Sequence, residues 1–168
     1  MTPRGTLGLL ALLAVLVAYV AIVDRPWSPA TSVEPPLLAT PAARVTTVEI
    51  TWPGAHLVGT RRDDGWYDQH GQRLSGGLVD DLLAALATVR PMETLPAAGA
   101  TATEYGLGAA ATGLALGANG TELLRLEVGD RNPAWTGVYV RRSGAGEVLV
   151  VGALLHWELT KLRATTSS

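Results

Sequence analysis

The chain has 168 residues, with 13 Lys or Arg, 15 Asp or Glu and a formal net charge of −2. Because it lacks the basic surplus that neutralises phosphates, we expect no nucleic-acid partner. The absence of cysteine excludes disulfides, thiolate metal sites and cysteine nucleophiles.

An uncharged stretch runs from Gly5 to Val23, between Arg4 and Asp24. As a helix it spans roughly 28 Å, close to the ~30 Å hydrocarbon core of a bilayer. We therefore predict a transmembrane helix over residues 5–23. The alternative is a cleaved signal peptide, whose apolar region is usually shorter, about 7 to 15 residues. Small residues spaced three or four apart let another helix approach the span, which ends at Val23: Gly5, Gly8, Ala11, Ala14 and Ala18.

A short N-terminal region normally leaves the N-terminus of such a span in the cytoplasm. Residues 1–4 are then a cytoplasmic tip, and the C-terminal domain lies in the periplasm, attached to the inner membrane of a bacterium. Tyr19 and Trp27 flank the outer end of the span, where amphipathic aromatic rings prefer the membrane interface. We expect the lipid bilayer to be one partner.

Residues 24–43 are rich in proline, including Pro35 and Pro36. Such a segment favours extended polyproline geometry at about 3.1 Å per residue, so it would reach up to ~60 Å. We interpret it as a spacer, with an extended arm along a neighbouring protein as the alternative.

Residues 44–163 are predicted to form one α+β domain, followed by a tail at 164–168. Alternating apolar positions and turn residues predict antiparallel β-hairpins, and apolar stripes predict two packed helices, the first capped by Ser75 and stopped by Pro91. Trp52, Trp66 and Trp157 are expected in the core. The predicted strands are 45–52, 56–61, 65–68, 113–118, 121–128, 136–142 and 147–151, and the helices are 76–89 and 153–162.

Several short motifs resemble an uncharacterised bacterial family built on a domain of unknown function. They are Glu104-Tyr105-Gly106-Leu107, the Asn119-Gly120 hairpin, Val128-Gly129-Asp130, the segment 137–141, and the strand 147–151 leading to a Leu-rich helix. The resemblance covers roughly residues 44–162. It implies a membrane-anchored protein, often encoded beside gliding-type ABC transporters as an auxiliary component. The motifs are turns, hairpins and core aromatics, so they carry over no catalytic residue.

Catalytic and cofactor-binding patterns are weak. His56, His70 and His156 show no metal-ligand spacing, and we interpret His70 beside Asp68 as a surface turn. We interpret Asp63-Asp64 as a hairpin turn and Asp80-Asp81 as charges at a helix N-terminus. We therefore predict no enzyme activity, no metal and no cofactor, and a small-molecule ligand is not expected.

Three residues of the domain are candidates for a protein interface. Trp135 lies in a loop, where it either contacts a partner or caps the core of the sheet. Arg141 and Arg142 either form a basic patch or are solvated residues at the end of a strand.

Together these features predict a non-enzymatic, single-span accessory subunit of a larger integral-membrane complex, whether a transporter or a respiratory or photosynthetic assembly. The alternative is a membrane-tethered binding protein that captures a small ligand or envelope polymer for an ABC transporter.

Overall fold

The computed structural model describes residues 34–74, 77–96 and 99–166, together with Leu13. The chain separates into two compact units, Met1–Glu34 and Pro35–Ser168, and every element below belongs to the second. Within the described residues, no helix is long and apolar enough to cross a membrane. The predicted span, Tyr19 and Trp27 lie outside the described part apart from Leu13, so these predictions remain untested.

The domain is built on one eight-stranded antiparallel sheet with two helices, which confirms the predicted α+β class. The strand order is β3-β2-β1-β5-β6-β7-β8-β4. The strands are β1 Thr47–Trp52, β2 Ala55–Arg62, β3 Gly65–Tyr67, β4 Pro91–Pro96, β5 Thr112–Ala118, β6 Thr121–Arg131, β7 Gly137–Arg142 and β8 Glu147–Gly152. The helices are α1 Leu78–Thr88 and α2 Leu154–Thr166, and two 3₁₀ segments lie at Ala42–Arg44 and Gly99–Tyr105.

The predicted hairpins are present because their sequence signals are local. In β1 the burial alternates strictly, with Val48, Ile50 and Trp52 buried. Asn119 and Gly120 take φ of 52° and 78°, as a two-residue turn between β5 and β6 requires. Asn tolerates this left-handed region better than most residues do.

One face of the sheet forms the main core against both helices. Leu82, Leu83 and Leu86 of α1 are fully buried, and so are Leu155 and Leu162 of α2. On the opposite face, a smaller cluster packs Ala102 and Leu107 against Val148. Strand β8 is therefore covered on both faces, which explains its run of consecutive apolar residues.

Two predictions for the helices were wrong. Helix α1 begins at Leu78 with Gly77 as its N-cap, at a left-handed φ of 64° and without a side-chain cap bond. Ser75 lies outside the described residues. Trp157 is 52 % exposed rather than part of the core, because α2 buries the stripe of Leu155, Leu159 and Leu162 and turns Trp157 outward.

The structure also differs from the predicted linker and strand set. Leu37 and Leu38 are buried, and their amides donate to the carbonyls of Val89 and Leu86, respectively. These two carbonyls lie at the C-terminal end of α1, where backbone oxygens have no acceptor role within the helix. The folded unit therefore begins before Arg44, where the sequence predicted its start. Strand β4 was not predicted from the sequence. It lies at the edge of the sheet beside β8, and proline is tolerated there because one side of an edge strand forms no hydrogen bonds to another strand.

Two of the motif glycines lie where the chain crosses itself closely. A Cβ on Gly129 of β6 would clash with the carbonyl oxygen of Tyr105. A Cβ on Gly106 would lie 2.7 Å from the backbone nitrogen of Asp130, and Gly106 has a φ of +69°. The Tyr105-Gly106-Leu107 and Val128-Gly129-Asp130 motifs thus dock the 3₁₀ segment onto the sheet, which is a packing role.

Candidate interaction surface

The loop between β6 and β7 holds an exposed tryptophan in a defined position. Asn132 organises this loop, since its side-chain oxygen accepts the amides of Thr136 and Gly137, both at 3.0 Å. The Trp135 amide donates to the Asn132 carbonyl at 2.9 Å and closes a turn. Trp135 itself has a φ of 61°, a left-handed conformation that is strained for a bulky side chain. Such strain is found preferentially at functional sites.

The guanidinium of Arg131, at the end of β6, is stacked by two indole rings. Its Cζ atom lies 4.4 Å from the ring centre of Trp135 and 5.3 Å from that of Trp157. The loop and the helix meet here because the Ala153 amide donates to the Thr136 carbonyl at 3.1 Å, directly before α2 begins. These contacts hold both rings over one cation.

The other large exposed apolar side chains of the domain lie on elements that flank this stack. Leu154 lies one turn before Trp157 on α2, and the Met92 Cε lies 3.1 Å from the position of a Cβ on Gly137. Met92, Trp135, Leu154 and Trp157 are 59, 67, 47 and 52 % exposed, and they are the large exposed hydrophobic residues of described positions 34–166. We call these four residues and Arg131 the aromatic patch. Apolar residues grouped in this way mark interaction sites.

His156 lies beside the aromatic patch. Its ring centre is 6.1 Å from that of Trp157, in an edge arrangement. Desolvation by burial, and secondarily the positive charge of Arg131, lower the pKa of His156 below 6.5. The imidazole is therefore neutral at pH 7, and Arg131 is the charged group of the patch.

The sequence-predicted candidates are not all brought together. Arg141 binds Glu127 across the sheet with 2.6 Å between Nη2 and Oε2, and Arg142 is half-buried at the end of β7. Strand β7 begins beside Trp135, so both arginines lie roughly 15 Å along the strand from it. Pro35 is exposed and Pro36 half-buried, directly before Leu37. Trp135 is the one domain candidate in the aromatic patch.

Sequence reasoning missed Arg131, Trp157, Leu154 and Met92 as members of the site. A signal existed for α2 alone: the spacing Leu155, Leu159, Leu162 defines a buried stripe that leaves Leu154 and Trp157 beside it. The stacking of Arg131 depends on the contact between the β6–β7 loop and the start of α2, which no local sequence pattern shows.

One cavity of the described domain is lined partly by titratable side chains. It measures about 520 Å³, and His56, Asp68, His70 and Arg73 are among its lining residues. The Asp68 carboxylate accepts the backbone amides of His70 and Gln72 at 2.9 and 2.7 Å, which is the bonding of a turn. The imidazole of His56 instead lies 3.1 Å from Glu49. Among residues 34–74, 77–96 and 99–166, no tryptophan or tyrosine lines this cavity.

The described residues contain no group of three or more His, Asp or Glu placed to hold a metal ion. The carboxylate pairs also have structural roles. Asp80 accepts the Arg61 guanidinium at 2.6 Å and the Trp66 indole N–H at 3.0 Å, and Asp64 accepts the Tyr67 hydroxyl at 2.7 Å. Asp64 therefore stabilises the turn between β2 and β3, and Asp80 links the start of α1 to β2 and β3.

Comparison with known proteins assigns the chain to a family. Residues 67–166 match the domain of unknown function DUF4340. The chain belongs to the DUF4340 family. The match includes the Gly106 and Gly129 motifs and the whole aromatic patch, so the DUF4340 domain contains both the packing signature and the candidate surface. No curated protein and no solved structure matches the chain significantly.

Proposed function

We propose that this DUF4340 protein is a non-enzymatic accessory subunit of a larger integral-membrane complex in a bacterial inner membrane. The N-terminal helix of residues 5–23 inserts in or beside the complex, and the domain docks on its periplasmic side. The observation that carries this proposal is the aromatic patch, where two exposed tryptophans contact a half-buried arginine and the fold fixes all three. Trp, Met and Arg are enriched at protein interfaces, and Trp and Arg dominate their binding energy.

The nature of the complex is proposed from the family resemblance, which implies an ABC transporter as one assembly. Respiratory and photosynthetic complexes are the other candidates. Arg141 and Arg142 lie away from the aromatic patch, so in this proposal they are secondary to Trp135.

Purification from native membranes tests the proposal. The tagged full chain is extracted in mild detergent and analysed by native gel electrophoresis and mass spectrometry. We expect stoichiometric co-migration with one large membrane complex. The double variant Trp135→Ser/Trp157→Ser should lose this co-migration, since each hot-spot tryptophan contributes about 2 kcal/mol or more.

A matched control comes from the opposite edge of the sheet. Tyr67 of β3 also stacks against an arginine, with the Arg62 Cζ 4.6 Å from its ring centre. The Tyr67→Ser variant should keep the complex. Migration of the wild-type chain alone would contradict the proposal, and equal loss in both variants would show that the patch is not the docking surface.

The alternative is a membrane-tethered binding protein for a small ligand or envelope polymer, with the 520 Å³ cavity as its site. That volume lies within the usual range of ligand pockets. Exchange of residues 5–23 for an unrelated hydrophobic helix separates the two functions. An accessory subunit should be released from its complex, whereas a ligand-binding protein should stay tethered and active.

A further inference from the structure

The guanidinium of Arg131 has no acidic partner within the described part of the chain. Its Nε atom is buried and lacks a hydrogen-bond acceptor. The ion-paired arginines of the domain differ in this respect: Arg61 binds Asp80, Arg125 binds Glu122 and Arg141 binds Glu127, each at 2.6 Å. A buried donor without an acceptor is costly, so a native structure rarely keeps one without a function.

The surroundings hold this cation in a fixed orientation. Trp135 and Trp157 contact it, and Trp135 does so from a strained left-handed backbone conformation that the Asn132 bonds maintain. Neutral His156 adds no second charge. The aromatic patch thus presents one oriented cation against two exposed indole rings, and the exposed side chains of Met92 and Leu154 lie on flanking elements.

We propose that Arg131 is the receptor for a carboxylate of the partner protein. The partner would place an Asp or Glu side chain, flanked by apolar side chains, against the stacked guanidinium. A planar guanidinium binds a carboxylate through two parallel N–H bonds, which here would come from the two Nη atoms because Nε is buried. A carboxylate held against two indole rings is poorly solvated, so the contact is specific. This inference rests on the proposed function and names the chemistry of the partner at the same surface.

A lipid phosphate is the competing anion, and the position of Arg131 argues against it. Cations that reach lipid headgroups extend from the rim of an apolar surface into water. Arg131 is instead half-buried and in contact with two indole rings, and the hot spots of protein interfaces are likewise well packed and desolvated.

The test uses the full chain in its native membranes and two variants of Arg131. The R131Q change removes the charge, and we expect it to weaken the complex about tenfold to a hundredfold. On native gels the complex should then dissociate at a NaCl concentration that the wild-type complex survives.

The R131K change places a primary amine in the patch, and a water-soluble carbodiimide should join it to a carboxylate of the partner chain. Lys161 is the one natural lysine, so the background from lysine side chains is low.

The matched control is R62K, which places an amine at an arginine that also stacks on an aromatic ring, but on the opposite edge of the sheet. It should give no cross-link to the partner. Thermal unfolding of each variant checks that the domain is folded.

The possible failures are distinct. An R131Q complex that resists NaCl like the wild type, or an R131K cross-link confined to this chain, overturns the carboxylate receptor and leaves the accessory role intact. Weaker binding of R131Q to vesicles of anionic phospholipid, with an unchanged protein complex, overturns it in favour of a headgroup. A wild-type chain that migrates alone overturns the proposed function itself.

Discussion

Replacement of Gly129 by alanine should destabilise the domain strongly. The added Cβ would clash with the Tyr105 carbonyl oxygen and would also lie 3.1 Å from the Gly106 carbonyl carbon. Because the nearest obstacle is backbone, no rotation of a side chain relieves the contact. Overpacking costs about 1–3 kcal/mol, and this site belongs at the upper end, at about 3 kcal/mol.

Thermal unfolding measures this loss of stability. For a domain of roughly 130 residues, each kcal/mol of lost stability lowers Tm by about 4 °C. The G129A variant should therefore lower Tm by about 12 °C. Circular dichroism of the full chain in mild detergent follows the transition.

Gly113 of β5 provides the control within the same sheet. A Cβ there would meet the Thr51 Cβ at 3.7 Å, an ordinary contact, and no left-handed φ constrains the residue. The G113A variant should match the wild type or exceed its stability by up to about 1 kcal/mol, because alanine restricts the unfolded chain. If G129A unfolded within about 2 °C of G113A, the close crossing at Gly129 would not be the reason for glycine there.

Three further predictions concern the domain boundary and the aromatic patch. The L37A variant should lose about 2–5 kcal/mol in urea unfolding, because Leu37 is fully buried, whereas a residue of a free spacer would cost nothing measurable. The pKa of His156, followed by NMR, should lie below 6.5 and rise in R131Q without reaching that value, since burial is the larger cause. Because the folded pKa is below the unfolded one, this histidine's contribution to stability is present above pH 6.5 and is lost as the pH falls through the folded pKa. The W135G variant should stay within about 1 kcal/mol of wild-type stability, as relief of the left-handed strain offsets the lost stacking, yet it should lose the complex.

The hairpins were predictable because their signals lie within a few residues. The alternation in β1 and the Asn119-Gly120 turn set the register without reference to the rest of the chain. The edge strand β4 was not predictable in this way, since proline opposes strand formation unless a neighbour pairs with one side. Its pairing with β8 is a tertiary property.

The aromatic patch shows a sharper limit. The sequence indicated Trp135 as a contact residue, but left open whether it covers the core. The sequence predicts Trp157 in the core, as one of the apolar positions of the last helix. Only the meeting of the β6–β7 loop with α2 decides that both rings stack on Arg131 in the open.

The residues that carry the DUF4340 resemblance and the residues that form the aromatic patch have different physical roles. Gly106 and Gly129 allow two backbone segments to cross, so they specify the fold and bind nothing. Arg131 and Trp135 contribute little that the core requires, and Trp135 even costs backbone strain. A substitution at the glycines should therefore remove the domain, while a substitution in the patch should leave a folded domain without its partner. This separation makes the patch the place to test function, because loss of binding there cannot be attributed to unfolding once Tm is shown to be unchanged.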